Sequence, residues 1–422
     1  MKPNNILLSA FACDPFFGSD EEVGWQWARE LSERGHAVTV LTRTSHRAAI
    51  TQHVAVTGQC AGVHFEYVDL PRLHRLMMCF NRRNHFYYYF WQWAAYQRAR
   101  QLLRAQAPGQ RFDLVHHITW VSFRQPSFMG LLGIPFVFGP VAGGDEIPTG
   151  YTAAFGGKAK LKEWIRHLAN SFVSIDPFMR LTYAQASRVF FTSEGHLPRV
   201  PQVARTKAKI ELAIGSDTTN LPLHACVTPG RKPARLLFAG RCIGWKGMDL
   251  GLEVLARVRA QRPDVTLTIV GDGEDRVRWE ASARRLGVAD AVDWLGWLTK
   301  EAVQQLYAEF DLLFYPSLRD SGGFVVLEAL QNGLPVVCFK LGGPGVVVDQ
   351  SCGAAVVALP DVTQTLSDYA GAVLQTLQRC ELEAGLAAAC QARARQFTWP
   401  ALIERIYGAL NQQAGSQEKQ KC

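Results

Sequence analysis

The sequence predicts an α/β protein of two doubly wound, Rossmann-like domains facing one another across a cleft. Buried-strand and helix patterns alternate along the chain, as parallel strands joined by helical crossovers require. That alternation stops at LPLHACVTPGRKPA, which carries three prolines and no periodicity, and then restarts. The chain has 422 residues, 48% of them hydrophobic and 19% charged, too long for one ordinary domain and apolar enough for two large cores.

The elements follow in order. NNILLSAF reads as a buried strand, a long polar loop follows, a helix is predicted from about Glu21 to Gly35, and AVTVLT is the second strand. Further strands are predicted at VHFEYV, DLVHHI, IPFVFG and SRVFFTS. Beyond the break, RLLFAG is a strand, MDLGLEVLARVRAQ a helix with apolar residues at helical spacing, and TLTIVG, DLLFYP and PVVCF continue the sheet. WPALIERIYGAL is a last helix, with Pro400 suited to its first turn. The expected division is an acceptor-side domain over 1–219, a nucleotide-binding domain over 220–395, a helix over 396–411 returning toward the first domain, and a disordered tail over 412–422.

Composition narrows the function class. No segment has the order of a signal peptide, and no apolar run approaches the ~18 residues needed to span a bilayer. The ten cysteines are irregularly spaced, without CxxC or a zinc-type cluster, which points to a reducing cytosol. The net charge of +8 is uneven. Between Asp69 and Asp113 there is no acid, while Arg72, Arg75, Arg82, Arg83, Arg98, Arg100, Arg104 and Arg111 accumulate, a patch that seeks anions. Within it seven aromatics stand between Phe86 and Trp93, so Arg72–Trp93 suits an anionic membrane surface, or equally an ordinary helix with its rings in the core. No nucleic-acid module accompanies the patch.

Ligands of open parallel sheets bind at the carboxyl ends of strands, and four stretches fall there. In GRCIGWKG, Gly240 permits a tight turn while Arg241 and Lys246 can converge on one anion or stand as two solvated cations. In GDGED, Gly271 lets backbone approach a ligand, a weak signal alone. In DSGGFVVLEALQNGLPVV, Ser321, Gly322 and Gly323 form a turn before a helix whose N–H groups, at Phe324 and Val325, make a seat for a diphosphate. Glu328 lies roughly 7 Å further along the axis, at ~1.5 Å per residue, where it can accept from ribose hydroxyls or pair with an arginine. Asp320 faces the other end or caps the helix. In the fourth stretch, Gly18 and Ser19 precede an acidic helix start, where Ser19 or Asp20 also suits a plain N-cap. At the end of DLVHHI, His116 and His117 point to opposite faces, so at most one enters the cleft. No two aspartates are separated by a single residue, leaving cations rather than a metal to neutralise a diphosphate.

GRCIGWKG, LTIVGDGE, LGWLTKEAVQQLYAEFDLLFYPS and D-x7-E followed by ALQNGLPVV together resemble the retaining glycosyltransferases of family 4, which have the two-domain GT-B architecture. DSGG, with GSDEEVGW, HHITWVSFR and GPVAGG, is similar to a polysaccharide-associated branch. The family pair is Glu-x7-Glu, and here Asp320 replaces the first acid. IGSD, Ile214 to Asp217, resembles the family's NGVD turn but lacks its Asn. The resemblance implies a UDP- or GDP-linked sugar donor, a glycan or lipid-linked acceptor, no metal cofactor, and action in the cytoplasm or at the inner face of its membrane. It implies that Arg241 and Lys246 bind the diphosphate, that Glu328 binds ribose, that Asp320 contacts the transferred sugar, that Gly18 lines the acceptor side, and that a catalytic histidine corresponds to His116 or His117, with His116 favoured. A nucleotide-sugar epimerase or hydrolase, or a degenerate scaffold subunit, shares the same donor half.

Overall fold

The computed structural model describes residues 4–16, 20–70, 85–107, 109–153, 155–217 and 234–408. Gly18, most of Arg72–Trp93, the proline-bearing break and the tail over 412–422 lie outside them. The chain divides into two compact units. The first comprises Met1–Gly144, Leu168–Gly215 and the segment from Trp399 onward, and the second Asp145–His167 and Ser216–Thr398. Assignment of Asp145–His167 to the second unit differs from a boundary near residue 219.

The first unit holds seven parallel strands in the order β3-β2-β1-β4-β5-β6-β7. They are β1 Asn5–Ala10, β2 Ala37–Thr42, β3 His64–Tyr67, β4 Leu114–Thr119, β5 Phe136–Val141, β6 Arg188–Phe191 and β7 Ala208–Ile210. β4 and β5 are buried at every position, so neither alternates; β5 runs apolar, while β4 carries His116, His117 and Thr119 into the core. Leu7, Leu41, Val115, Phe138 and Phe191 form one core with Tyr88, Trp91 and Tyr183. Residues 399–408 are helical and belong to this unit, where the Tyr407 hydroxyl meets His116 and Arg405 pairs with Glu211 at 2.9 Å.

The second unit holds β8 Arg235–Ala239, β9 Thr266–Val270, β10 Val292–Gly296, β11 Leu312–Tyr315, β12 Val336–Phe339 and β13 Gly353–Val356, all parallel, in the order β10-β9-β8-β11-β12-β13. Numbered within the unit this is 3-2-1-4-5-6, the Rossmann order, whose direction reverses between β8 and β11. Helix Met248–Gln261 buries Met248, Leu252, Leu255 and Val258, the stripe its sequence spacing sets out. The reversal between β8 and β11 is where sheets of this order hold their ligand crevice, at the carboxyl edge.

Candidate active site

Backbone packing shapes that crevice before any side chain enters it. Gly271, at φ +123°, ends β9 so close to β8 that an added Cβ would stand 2.0 Å from the Gly240 carbonyl oxygen. Gly240 and Cys242 in turn donate their N–H groups to Val270 and Asp272, each at 2.9 Å, so the loops after β8 and β9 ride on one another. The loop after β12 does the same to the turn after β11: Gly343 N–H donates to the Asp320 carbonyl at 2.8 Å, and a Cβ on Gly342 would lie 2.1 Å from that oxygen. This second glycine pair is a site element that sequence reading missed, although LGGPG directly after an apolar strand carried the signal.

Lys246 and Asp320, expected to act separately, are brought together. Lys246 Nζ donates to Asp320 Oδ2 at 2.8 Å and to the hydroxyl of Tyr315, which itself donates to the same Oδ2 at 2.5 Å. Asp320 Oδ1 accepts the N–H groups of Gly322 at 3.1 Å and Gly323 at 3.0 Å. Burial alone would raise the Asp320 carboxyl, but the Lys246 charge and the donated hydrogen bonds override it and hold the group at about 2. Both oxygens of Asp320 are thus engaged within the turn and its neighbours. Its carboxylate fixes the turn and aims Lys246, whose ammonium has three protons and uses two of them here.

Donors are left over at this turn and on the loop after β8. Gly323, at φ +72°, starts helix Phe324–Gln331, and the N–H groups of Phe324 and Val325 have no acceptor among the described residues. Arg241 is exposed and has no side-chain partner among those residues. A third ammonium proton beside a helix N-terminus suits a dianion, and the Arg241 guanidinium stands on the same loop as Lys246. Further along the helix, half-buried Glu328 receives a hydrogen bond from the Tyr307 hydroxyl at 3.0 Å. The Tyr307 hydroxyl thus supports that carboxylate.

A brace comes from far away in sequence. Glu163 receives two hydrogen bonds from Arg319, the residue before Asp320, at 2.5 and 2.8 Å, and the Arg319 guanidinium lies 5.1 Å from the centre of the Trp245 ring, beside Lys246. Phe155 packs 3.5 Å from where a Cβ on Gly244 would stand. No local pattern announces this contact.

In the first unit both histidines of β4 lie in the core. His116 is fully buried, with Nδ1 bonded to the Tyr407 hydroxyl at 3.0 Å and Nε2 to the Gly139 carbonyl at 2.5 Å. His117 is equally buried, bonded through Nε2 to the Tyr88 hydroxyl at 3.0 Å. Burial depresses His116 to about 4, and burial with the neighbouring His116 depresses His117 to about 3. Both are neutral core groups, because β4 is covered on both faces. At the ends of β1 and β2 sequence reading missed a buried cluster: Asp14 Oδ2 meets His46 Nδ1 at 3.2 Å, and Arg43 bonds His46 Nε2 at 2.8 Å and the Phe11 carbonyl at 3.1 Å. Asp20, opening helix Asp20–Glu33, has its carboxyl pushed up to about 7 by burial and then by Glu21. Of the aromatics in Phe86–Trp93, Tyr87, Tyr88 and Trp91 enter the core while Phe90 and Trp93 remain 48% exposed.

Comparison with known proteins places these two units in context. Residues 22–212 match the glycosyl transferase 4-like domain, and residues 227–371 match glycosyl transferases group 1. The chain is 26% identical over 416 residues to a D-inositol 3-phosphate glycosyltransferase of Stackebrandtia nassauensis, covering 91% of this chain and 84% of that protein. Over 135 residues it is 34% identical to the lipopolysaccharide glucosyltransferase WaaG of Escherichia coli, covering 32% of this chain and 35% of that one. The fold is that of the lipopolysaccharide outer core galactosyltransferase WaaB in its apo form, with TM-score 0.63, 14% identity, and coverage of 97% of this chain and 99% of that chain.

Proposed function

This chain belongs to the group 1 glycosyltransferases, and from that premise we propose that it moves a sugar from a nucleotide donor to a glycan or lipid-linked saccharide, with retention of anomeric configuration, in cell-surface polysaccharide synthesis. The observation that carries the donor assignment is Lys246, held by Asp320 beside the start of helix Phe324–Gln331, whose Phe324 and Val325 N–H groups have no acceptor among the described residues, with Arg241 on the same loop after β8. In this reading the nucleoside diphosphate rests against those donors, and Glu328, held by Tyr307, accepts from the ribose hydroxyls.

The reaction breaks the bond from the anomeric carbon to the diphosphate oxygen and forms one to the acceptor oxygen. The acceptor proton passes to the departing phosphate. Charge grows on the leaving group, so preorganised cations and N–H groups at the diphosphate supply the chief catalytic term, and no metal is invoked. Asp320 is a positioning residue acting through Lys246. The exposed Phe90 and Trp93 support docking on an anionic membrane, which salt-sensitive cosedimentation with anionic vesicles tests.

Product analysis tests the transfer. Incubation with a turned-over nucleotide sugar and an acceptor is expected to give a glycoside whose anomeric proton coupling matches that of the donor. Inversion contradicts retention. Free sugar or an epimerised nucleotide sugar from donor alone, at the same rate with and without acceptor, contradicts the transferase reading.

A further inference from the structure

Residues 146–150, Thr152 and the middle of helix Gly157–Ser171 line a depression of about 360 Å³ on the second unit. That volume falls within the roughly 300–1,000 Å³ of small-molecule sites. Tyr151, between the lining residues Gly150 and Thr152, is anchored: its hydroxyl is hydrogen-bonded to the Leu359 carbonyl and the Thr365 hydroxyl, each at 2.8 Å. Glu163, in its lining, holds Arg319 and so joins the depression to the turn that carries Asp320.

The acids lining the depression have hydrogen-bond partners. Glu146 bonds His167 at 3.2 Å, and Glu163 is committed to Arg319. The Lys160 ammonium is exposed with no partner among the described residues, and Arg166 adds a second cation. Helix Gly157–Ser171 also exposes Leu161, Trp164 and Ile165, but of the three only Trp164, 62% exposed, lines the depression. An indole face beside cations suits a sugar ring bearing a negative charge: the ring's C–H face packs on the indole, and the anion meets the ammonium.

We propose that this depression is a subsite for an anionic saccharide of the acceptor, with Trp164 as the stacking plate and Lys160 as the anion contact. It rests on the glycosyl-transfer reading and names the acceptor class. The anion is a phosphate or a carboxylate, and the probes distinguish them.

Calorimetry on the full chain uses glucose 6-phosphate, glucuronate, glucose and inorganic phosphate. Glucose 6-phosphate or glucuronate is expected to bind, and Lys160→Ala or Trp164→Ala to weaken it about tenfold, the loss expected for one charge-assisted contact. Trp164→Phe and Lys160→Arg should recover most of the affinity, which a merely misfolded variant would not. Lys246→Ala should retain probe binding, excluding the diphosphate seat as its location. Absence of binding by both charged sugars, affinity unchanged in Lys160→Ala and Trp164→Ala, glucose binding as tightly as glucuronate, or phosphate as tightly as glucose 6-phosphate, each overturns the subsite. UDP and GDP titrated into the same samples separate the claims, because nucleotide binding without probe binding overturns the subsite alone.

Discussion

Lys246 and Arg241 lie five positions apart, yet their surroundings give them different duties. Lys246 is held by Asp320 and Tyr315, whereas Arg241 is exposed and has no partner among the described residues. Lys246→Ala is therefore expected to lower turnover by about 2.7–4 kcal/mol of barrier, measured at saturating donor, as for loss of one preorganised transition-state donor. Arg241→Ala is expected to weaken nucleotide binding about tenfold while leaving unfolding free energy within about 0.5 kcal/mol, since it breaks no contact in the folded protein. The Asp320 carboxyl, at about 2 when folded against an ordinary 3.8, stabilises the fold above pH 3.8, and that stability is lost as pH falls through about 2. Its size is about 2 kcal/mol, visible as a low-pH loss of stability in the wild type that Asp320→Asn lacks. From sequence the residue types were readable. The Lys246–Asp320 bond was not, because separate motifs carry its ends and only the β8–β11 neighbourhood brings them together.

At the scale of elements, the donor crevice depends on backbone meeting backbone, and glycine is the only residue that permits it at the tightest point. Gly271→Ala would force a Cβ to within 2.0 Å of the Gly240 oxygen in a left-handed conformation. It is expected to destabilise the protein by about 1–3 kcal/mol, read in denaturant unfolding, and to impair nucleotide binding with it. The strands flanking the crevice were legible because RLLFA and LLFY are buried at nearly every position and leave continuous apolar runs. β7, only AKI, and β13, GAAV, are too short and too weakly apolar to stand out. DLVHHI was legible as a strand, whereas the surroundings of its histidines were not. Its two histidines carry the signature of chemistry in sequence, and full burial with local hydrogen bonds makes them core groups.

For the whole molecule, the doubled Rossmann pattern and the family resemblance were both readable from the chain, because strand–helix periodicity is local and each half repeats it. Membership of Asp145–His167 in the second unit was not, since it rests on long-range contacts such as Glu163 with Arg319. The central claim is that the parting of β8 and β11 binds a nucleotide sugar, and thermal unfolding of the full chain with UDP, GDP and a panel of their sugars tests it most directly. At ~100 times its dissociation constant the true donor adds about 2.7 kcal/mol of stability, a gain expected to shrink in Arg241→Ala. A protein whose unfolding no nucleotide or nucleotide sugar alters, or alters equally with Arg241 and Lys246 both replaced by alanine, contradicts it.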